Sequence, residues 1–321
     1  MTTHPIYLRP ELTPLIAETP EQTTWDLSAM RTAGDVLLAN PHEANNRVEV
    51  TARSRTFIPT DCAKNAPLII SIHGGGYVAG RAAFDDAKND ELASRFGAIV
   101  VSPEYRLAPE FPFPIPVDDC ITALDEAIER FGRERPTFIF GDSAGAGLVY
   151  SMVTRLFGVG VRSHNEAVLA RYRHLASVVK GIVMLEPCID PSLSTASSAV
   201  YADGPVWTRR AASGAWHHYF GMSVDAQESV PRAMAAAAFP RPTALFREKG
   251  FPPALIVVNP VDPLRDEGIV LATALIDAGL VAELHMFAGT FHGSLSVPGS
   301  VVWEEIQALL ARFIGENSRV R

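Results

Sequence analysis

The sequence predicts an α/β protein built on one mostly parallel central sheet with helices on both faces. Short, nearly unbroken apolar runs of strand length recur from about residue 67 onward, and stretches of helical periodicity alternate with them. Strands that are apolar along their whole length are covered on both faces, as in parallel sheets. Repeated strand-helix-strand order implies right-handed crossovers between neighbouring parallel strands.

The apolar runs are APLIISIHG (66–74), GAIVVSPEY (97–105), PTFIFGDS (136–143), KGIVMLEP (180–187) and PPALIVVNP (252–260), followed by the alternating VAELHMF (281–287). Helical patterns occupy DDAKNDELASRF (85–96), VDDCITALDEAIERF (117–131), AGLVYSMVTRLF (146–157), RDEGIVLATALIDAG (265–279) and VVWEEIQALLARFIG (301–315). Two segments break the alternation. Residues 1–45 carry one predicted helix, PEQTTWDLSAMRTAGDVLLAN (20–40), before a first strand-like stretch, NRVEVTARSRTFI (46–58). Residues 191–240 show no strand pattern. An insertion there is placed to cover the crevice beyond the carboxyl ends of the strands, where such sheets bind ligands.

The 321 residues have a net charge of -8, which offers no attraction to phosphate backbones or anionic membrane surfaces. Nucleic acid and lipid partners are therefore set aside. Three cysteines at no metal-ligand spacing fit a reducing compartment. No stretch approaches the roughly 18 apolar residues of a membrane span, and the first residues lack the basic and apolar regions of a signal peptide. A soluble, cytoplasmic protein is expected.

In FIFGDSAGAG (138–147) an apolar strand runs into a glycine-rich turn with Ser143 at its centre. Glycines on both sides permit the strained backbone that holds a serine hydroxyl over the sheet edge. The pentapeptide alone also fits a turn with an incidental serine. A second motif points to the same edge: SIHGGGYVAG (71–80) follows another predicted strand, and its successive glycines leave backbone N–H groups open to an oxyanion. The amide after the nucleophile, that of Ala144, is the expected further donor.

A serine nucleophile needs a base, and the base needs an acid to orient it. His164 and His174 fall on a helical stretch and His285 lies inside a strand. His292, in AGTFHGS, sits on a loop at the carboxyl end of that strand and is the candidate base. Asp262, directly after PPALIVVNP, is the candidate acid. Asp266 and Glu267 open the next helix, where capping and the helix dipole account for them. Asp142 is expected to hydrogen-bond around the turn.

HGGGYVAG, EYRLAPEFPFPIPVDD (104–119), GDSAGAG, DPLRDEG (262–268) and FHG (291–293) resemble, in order and spacing, the motifs of the bacterial hormone-sensitive-lipase family of α/β-hydrolase esterases. The resemblance implies an α/β-hydrolase fold, a triad of Ser143, Asp262 and His292, and an oxyanion hole from the amides of Gly75, Gly76 and Ala144. It implies a catalytic body of residues 46–190 and 241–321, with 1–45 and 191–240 as a helical cap. Glu104, Tyr105 and Arg106 are expected to support the fold. Tyr77, Trp207 and Trp216 are the candidate substrate contacts. Trp207, Trp216, Tyr219 and Phe220 also suit a cap packing face that forms an acyl-pocket wall. His217 and His218 lack a third ligand at sensible spacing, so no metal site is expected, nor any other cofactor.

The implied activity is hydrolysis of short to medium acyl or aryl esters through an acyl-enzyme. Amide or formamide hydrolysis with the same triad is the alternative, and a non-catalytic ligand-binding receptor is a more distant one. The partner is a small-molecule ester, with a homodimer the one assembly left open.

Overall fold

The computed structural model describes residues 6–18, 25–33, 42–159, 165–224 and 229–318. Eight strands form one sheet: β1 (Arg47–Val50), β2 (Ser54–Ile58), β3 (Leu68–Ile72), β4 (Ile99–Pro103), β5 (Thr137–Asp142), β6 (Val179–Leu185), β7 (Ala254–Val258) and β8 (Ala282–Met286). Their spatial order is β1-β2-β4-β3-β5-β6-β7-β8. The β1–β2 and β2–β4 pairs are antiparallel, and every pair from β4–β3 to β7–β8 is parallel.

Crossovers are made by α3 (Asp86–Phe96), α4 (Ile115–Phe131), α5 (Ala144–Leu156), α6 (Glu166–Val178) and α11 (Arg265–Asp277), with α12 (Val301–Asn317) closing the fold. Successive residues of a strand point to opposite faces, and the core divides accordingly. Ile70, Ile72, Ile139, Met184 and Ile256 join one buried cluster with α4 and α5. Ile69, Phe138, Phe140, Val183 and Leu255 join the other with Leu92 of α3 and Trp303, Ile306 and Phe313 of α12.

Three expectations are corrected. The stretch 46–58 is a hairpin of two strands, because the Thr51 hydroxyl accepts the amides of Arg53 and Ser54 and closes a tight turn between them. Within 20–40 only α2 (Leu27–Ala33) is helical among the described residues, with 20–24 and 34–40 outside them. A short α1 (Thr13–Glu18), too brief for a clear periodicity, precedes it. Between α5 and α6, residues 160–164, including His164, lie outside the described residues. The α6 helix begins at the Asn165 cap, whose side chain accepts the amides of Ala167 and Val168.

Residues 191–240 contribute α7 (Ala196–Val200), α8 (Arg209–Tyr219) and α9 (Arg232–Ala238), and no strand among the described residues; α10 (Ala244–Glu248) follows. Residues 7–12 form a strap across the loop after β8. The Arg9 amide donates to the Gly289 carbonyl at 3.0 Å, its Nε to the Ala288 carbonyl at 3.0 Å, and its guanidinium pairs with Glu305 of α12. Leu12 is fully buried in the cluster containing Phe291 and Trp303. No helix among the described residues is long and apolar enough to cross a membrane.

Candidate active site

The carboxyl ends of β3, β5, β6, β7 and β8 supply the site. Ser143 follows β5 with φ 54° and ψ -117°, a conformation disfavoured for a residue with a Cβ. The surrounding backbone fixes it: its amide donates to the Leu185 carbonyl at 2.9 Å, and its carbonyl accepts the amides of Gly147 and Cys188 at 3.1 and 3.2 Å. The flanking glycines are required by close backbone packing. A Cβ on Gly141 would stand 2.4 Å from the Gly145 carbonyl oxygen, and one on Gly145 would stand 2.1 Å from that of Ile72.

Ser143 Oγ lies 3.0 Å from His292 Nε2, and His292 Nδ1 lies 2.9 Å from Asp262 Oδ2. All three side chains are buried. The Leu264 amide donates to Asp262 Oδ1 at 2.8 Å and the Asn259 side chain to Oδ2 at 3.1 Å, so the carboxylate is held by neutral donors on its own loop. The HGGG loop passes beside the hydroxyl, since a Cβ on Gly74 would sit 3.4 Å from that of Ser143. Gly75 and Gly76 adopt φ of 112° and 61°, open to glycine. Ala144 begins α5, and the amide at that position has no intrahelical acceptor.

The loop is braced from behind. The Tyr105 hydroxyl donates to the His73 carbonyl at 3.0 Å, the two rings stack at 4.2 Å, Glu104 accepts the Ala82 amide, and Arg106 pairs with Asp119. Tyr77 is fully buried; its hydroxyl donates to the Cys188 carbonyl at 2.5 Å and its ring stacks on Tyr219. The hydroxyl offered to substrate by the sequence is thus occupied in joining the β3 and β6 loops. Trp207 lies over His292 with ring centroids 5.8 Å apart, and its Cη2 would meet a Cβ on Gly76 at 2.6 Å. Trp216 packs against Tyr77, Phe220 and Phe239, and borders a cavity of about 510 Å³ with Leu193, Arg209 and His217.

The remaining candidates fall outside this cluster. The His217 ring bonds the Ser213 carbonyl, and His218 Nε2 accepts from the Trp25 indole. His174 contacts Arg133, and His285 contacts Glu283 on its own strand. The first-turn account of Asp266 and Glu267 needs correction: Glu267 accepts the amides of Ile189 and Asp190, and Asp266 that of Ser197, so both hold the β6–α7 connection.

Sequence reasoning missed Glu186, the residue after β6. It is buried at φ 40°; Oε1 accepts the Gly293 amide at 2.7 Å, Oε2 accepts from Asn259, and Oε1 lies 3.9 Å from His292 Nε2. A carboxylate closing an otherwise apolar strand in MLEP was the available signal. Glu186, Asp262 and His292 are also the one cluster among the described residues with metal-ligand proximity. Hydrogen bonds to Gly293, Asn259, Leu264 and Ser143 already engage their polar atoms. Burial pushes the His292 ring down, but Glu186 and then Asp262 outweigh it and raise it to about 10.

Fold and site together define an α/β hydrolase. The family model described as the alpha/beta hydrolase fold matches residues 69–296. Bacterial heroin esterase superposes with a TM-score of 0.80 at 31% identity, covering 98% of this chain and 99% of that one. Carboxylesterase NlhH of Mycobacterium tuberculosis is 31% identical over 250 residues, 74% of this chain and 70% of the relative. Ethyl acetate hydrolase of Pseudomonas putida is 28% identical over 254 residues, 78% and 72%. The chain spans only 33% of the FAD-linked oxidoreductase PytB of Aspergillus terreus, at 25% identity. The chain belongs to the bacterial hormone-sensitive-lipase family of α/β-hydrolase esterases and is a carboxylic ester hydrolase.

Proposed function

We propose that Ser143, His292 and Asp262 act as the catalytic triad of a serine carboxylesterase for short to medium acyl or aryl esters. The observation that carries this is the unbroken relay of 3.0 and 2.9 Å contacts from hydroxyl to ring to carboxylate. His292 takes the Ser143 proton as the oxygen attacks the ester carbonyl, and Asp262 fixes the ring and stabilises its cation. The oxyanion is received by the amides of Gly75, Gly76 and Ala144, one such donor typically contributing about 10²- to 10³-fold in rate. His292 returns the proton to the leaving alcohol, and water repeats the sequence to release the acid.

Helices α1 and α2 and the described residues 191–224 and 229–240 serve as a cap over this site. Trp207, close over Gly76 and His292, favours small apolar groups at the reacting carbonyl. Three free cysteines support a reducing, cytoplasmic setting. Turnover of nitrophenyl acetate and butyrate by wild type and Ser143→Ala tests the assignment. The variant is expected to lose at least about 10³-fold in kcat; equal rates in the two proteins defeat it.

A further inference from the structure

His292 must stay within reach of Ser143 through every proton transfer, yet the two follow different strands. Asp142, the last residue of β5, is the immediate chain neighbour of Ser143. Ser296 lies a short way beyond His292 on the same loop, and its hydroxyl donates to Asp142 Oδ2 at 2.5 Å. Apart from the Ser143–His292 contact, this is the one hydrogen bond between residues 141–145 and 288–300 among the described residues.

The accepting carboxyl is itself restrained. Asp142 is buried, and its Oδ1 makes no hydrogen bond among the described residues, so Oδ2 carries the contacts. The second contact comes from Lys88 of α3, whose Nζ lies 3.8 Å from Asp142 Oδ2, 2.9 Å from Asp85 Oδ2 and 5.3 Å from the centre of the Phe140 ring. Lys88 is only 3% exposed. A lysine is almost never buried to this extent unless it is paired. Burial works against the ammonium, but Asp85 and then Asp142 outweigh it and leave Lys88 more basic than usual.

Other ties hold the histidine loop without reference to the serine. Gly293 is bound to Glu186, the Phe291 amide to the Ser294 hydroxyl, and the ring itself to Asp262 beyond β7. None of these fixes the distance from the imidazole to Ser143. The Ser296 bond does, because its acceptor is covalently next to the nucleophile.

We infer that Lys88, Asp142 and Ser296 form a clasp of positioning residues: the buried ammonium steadies the Asp142 carboxyl, and the carboxyl holds the Ser296 hydroxyl so that the His292 ring stays seated against Ser143. The three act through the triad, and the inference rests on the triad assignment above.

Ser296→Ala removes the donor, whereas Ser296→Thr retains a hydroxyl. The readout is kcat and KM for nitrophenyl butyrate, with kcat counted per site labelled to completion by an organophosphate. A misplacement of about 1 Å can cost about 10² in rate. His292 keeps its ties to Asp262 and Glu186, so Ser296→Ala is expected to lose about 10-fold in kcat per labelled site, with KM within about two-fold of wild type. Ser296→Thr is expected to return kcat to within about three-fold of wild type. Lys88→Met removes the cation at similar length and is expected to lower kcat per site by about three- to ten-fold. Combined with Ser296→Ala it should cost no more than about two-fold beyond Ser296→Ala alone, because both act through one carboxyl.

A role confined to packing would lower the melting temperature or the number of labelled sites while kcat per site held. An unchanged kcat per site in Ser296→Ala, a loss in Ser296→Thr as large as in Ser296→Ala, or losses that multiply in the double variant overturns the clasp. Ser296 is half-buried on a loop, so its two variants keep the test decisive where Lys88→Met does not fold. Wild type that resists organophosphate labelling overturns the triad assignment itself, whereas normal labelling with a kcat indifferent to Ser296 overturns only the clasp.

Discussion

Replacing Tyr77 by phenylalanine separates a structural post from a substrate contact. The Tyr77 hydroxyl is buried and makes one short bond to the Cys188 carbonyl, so the variant loses that bond and leaves a buried acceptor unpaired. A lost neutral hydrogen bond is worth about 1 kcal/mol and an unsatisfied buried group about 1 to 3 kcal/mol. The ring still stacks on Tyr219 at 4.0 Å and packs on Trp216, so little apolar contact is lost. We therefore expect about 2 kcal/mol of destabilisation, a fall of roughly 3 °C in melting temperature for a chain of 321 residues. Calorimetry or a fluorescence melt measures it, alongside kcat and KM on nitrophenyl butyrate. KM should stay near the wild-type value. An unchanged melt with KM raised several-fold would refute the assignment of Tyr77 to loop bracing.

Gly145→Ala drives a Cβ into the Ile72 carbonyl, a backbone atom that cannot swing aside. Urea unfolding should show a loss of about 3 kcal/mol, with activity falling in parallel; a stable, active variant contradicts the elbow packing. Trp207→Ala empties the space over Gly76 and His292, so the butyrate-to-acetate rate ratio should rise while stability drops by about 3 kcal/mol or more. Glu110 is lowered to about 2, first by the hydrogen bond from Arg31 of α2. A depressed carboxyl contributes stability above its unfolded value and loses it as pH falls through the folded one. The melting-temperature gap between wild type and Glu110→Gln should therefore close between pH 4.5 and about 2; a gap constant over that range rules out the tether.

Much of the body and site was legible because the signals were local. Continuous apolar runs marked β3 to β7 within a few residues, and glycines around Ser143 and after His73 announced the backbone shapes they permit. His292 and Asp262 were found because each lies on a loop just beyond the carboxyl end of a strand, a position that topology converts into proximity. The rest depended on contacts between distant segments. The hairpin within 46–58 turns on one threonine hydroxyl, and α1 is too short to impose a period. Tyr77 carried the mark of a loop residue beside the site, yet its partner, Cys188, is 111 positions away. Glu186 looked like a strand's polar terminus. Its importance comes from Gly293, Asn259 and His292, which only the folded sheet brings to it.

The strap of residues 7–12 ties the earliest described part of the chain to the loop carrying the base. Those residues leave the ribosome long before Gly289 and Glu305, the groups that Arg9 grips, so this clasp can fasten only after the last strand and final helix have formed. A fusion or trimming that disturbs Tyr7, Arg9 or Leu12 therefore acts on the far end of the molecule. Its first symptom should be a loosened imidazole and a slower ester turnover in a protein whose sheet remains intact.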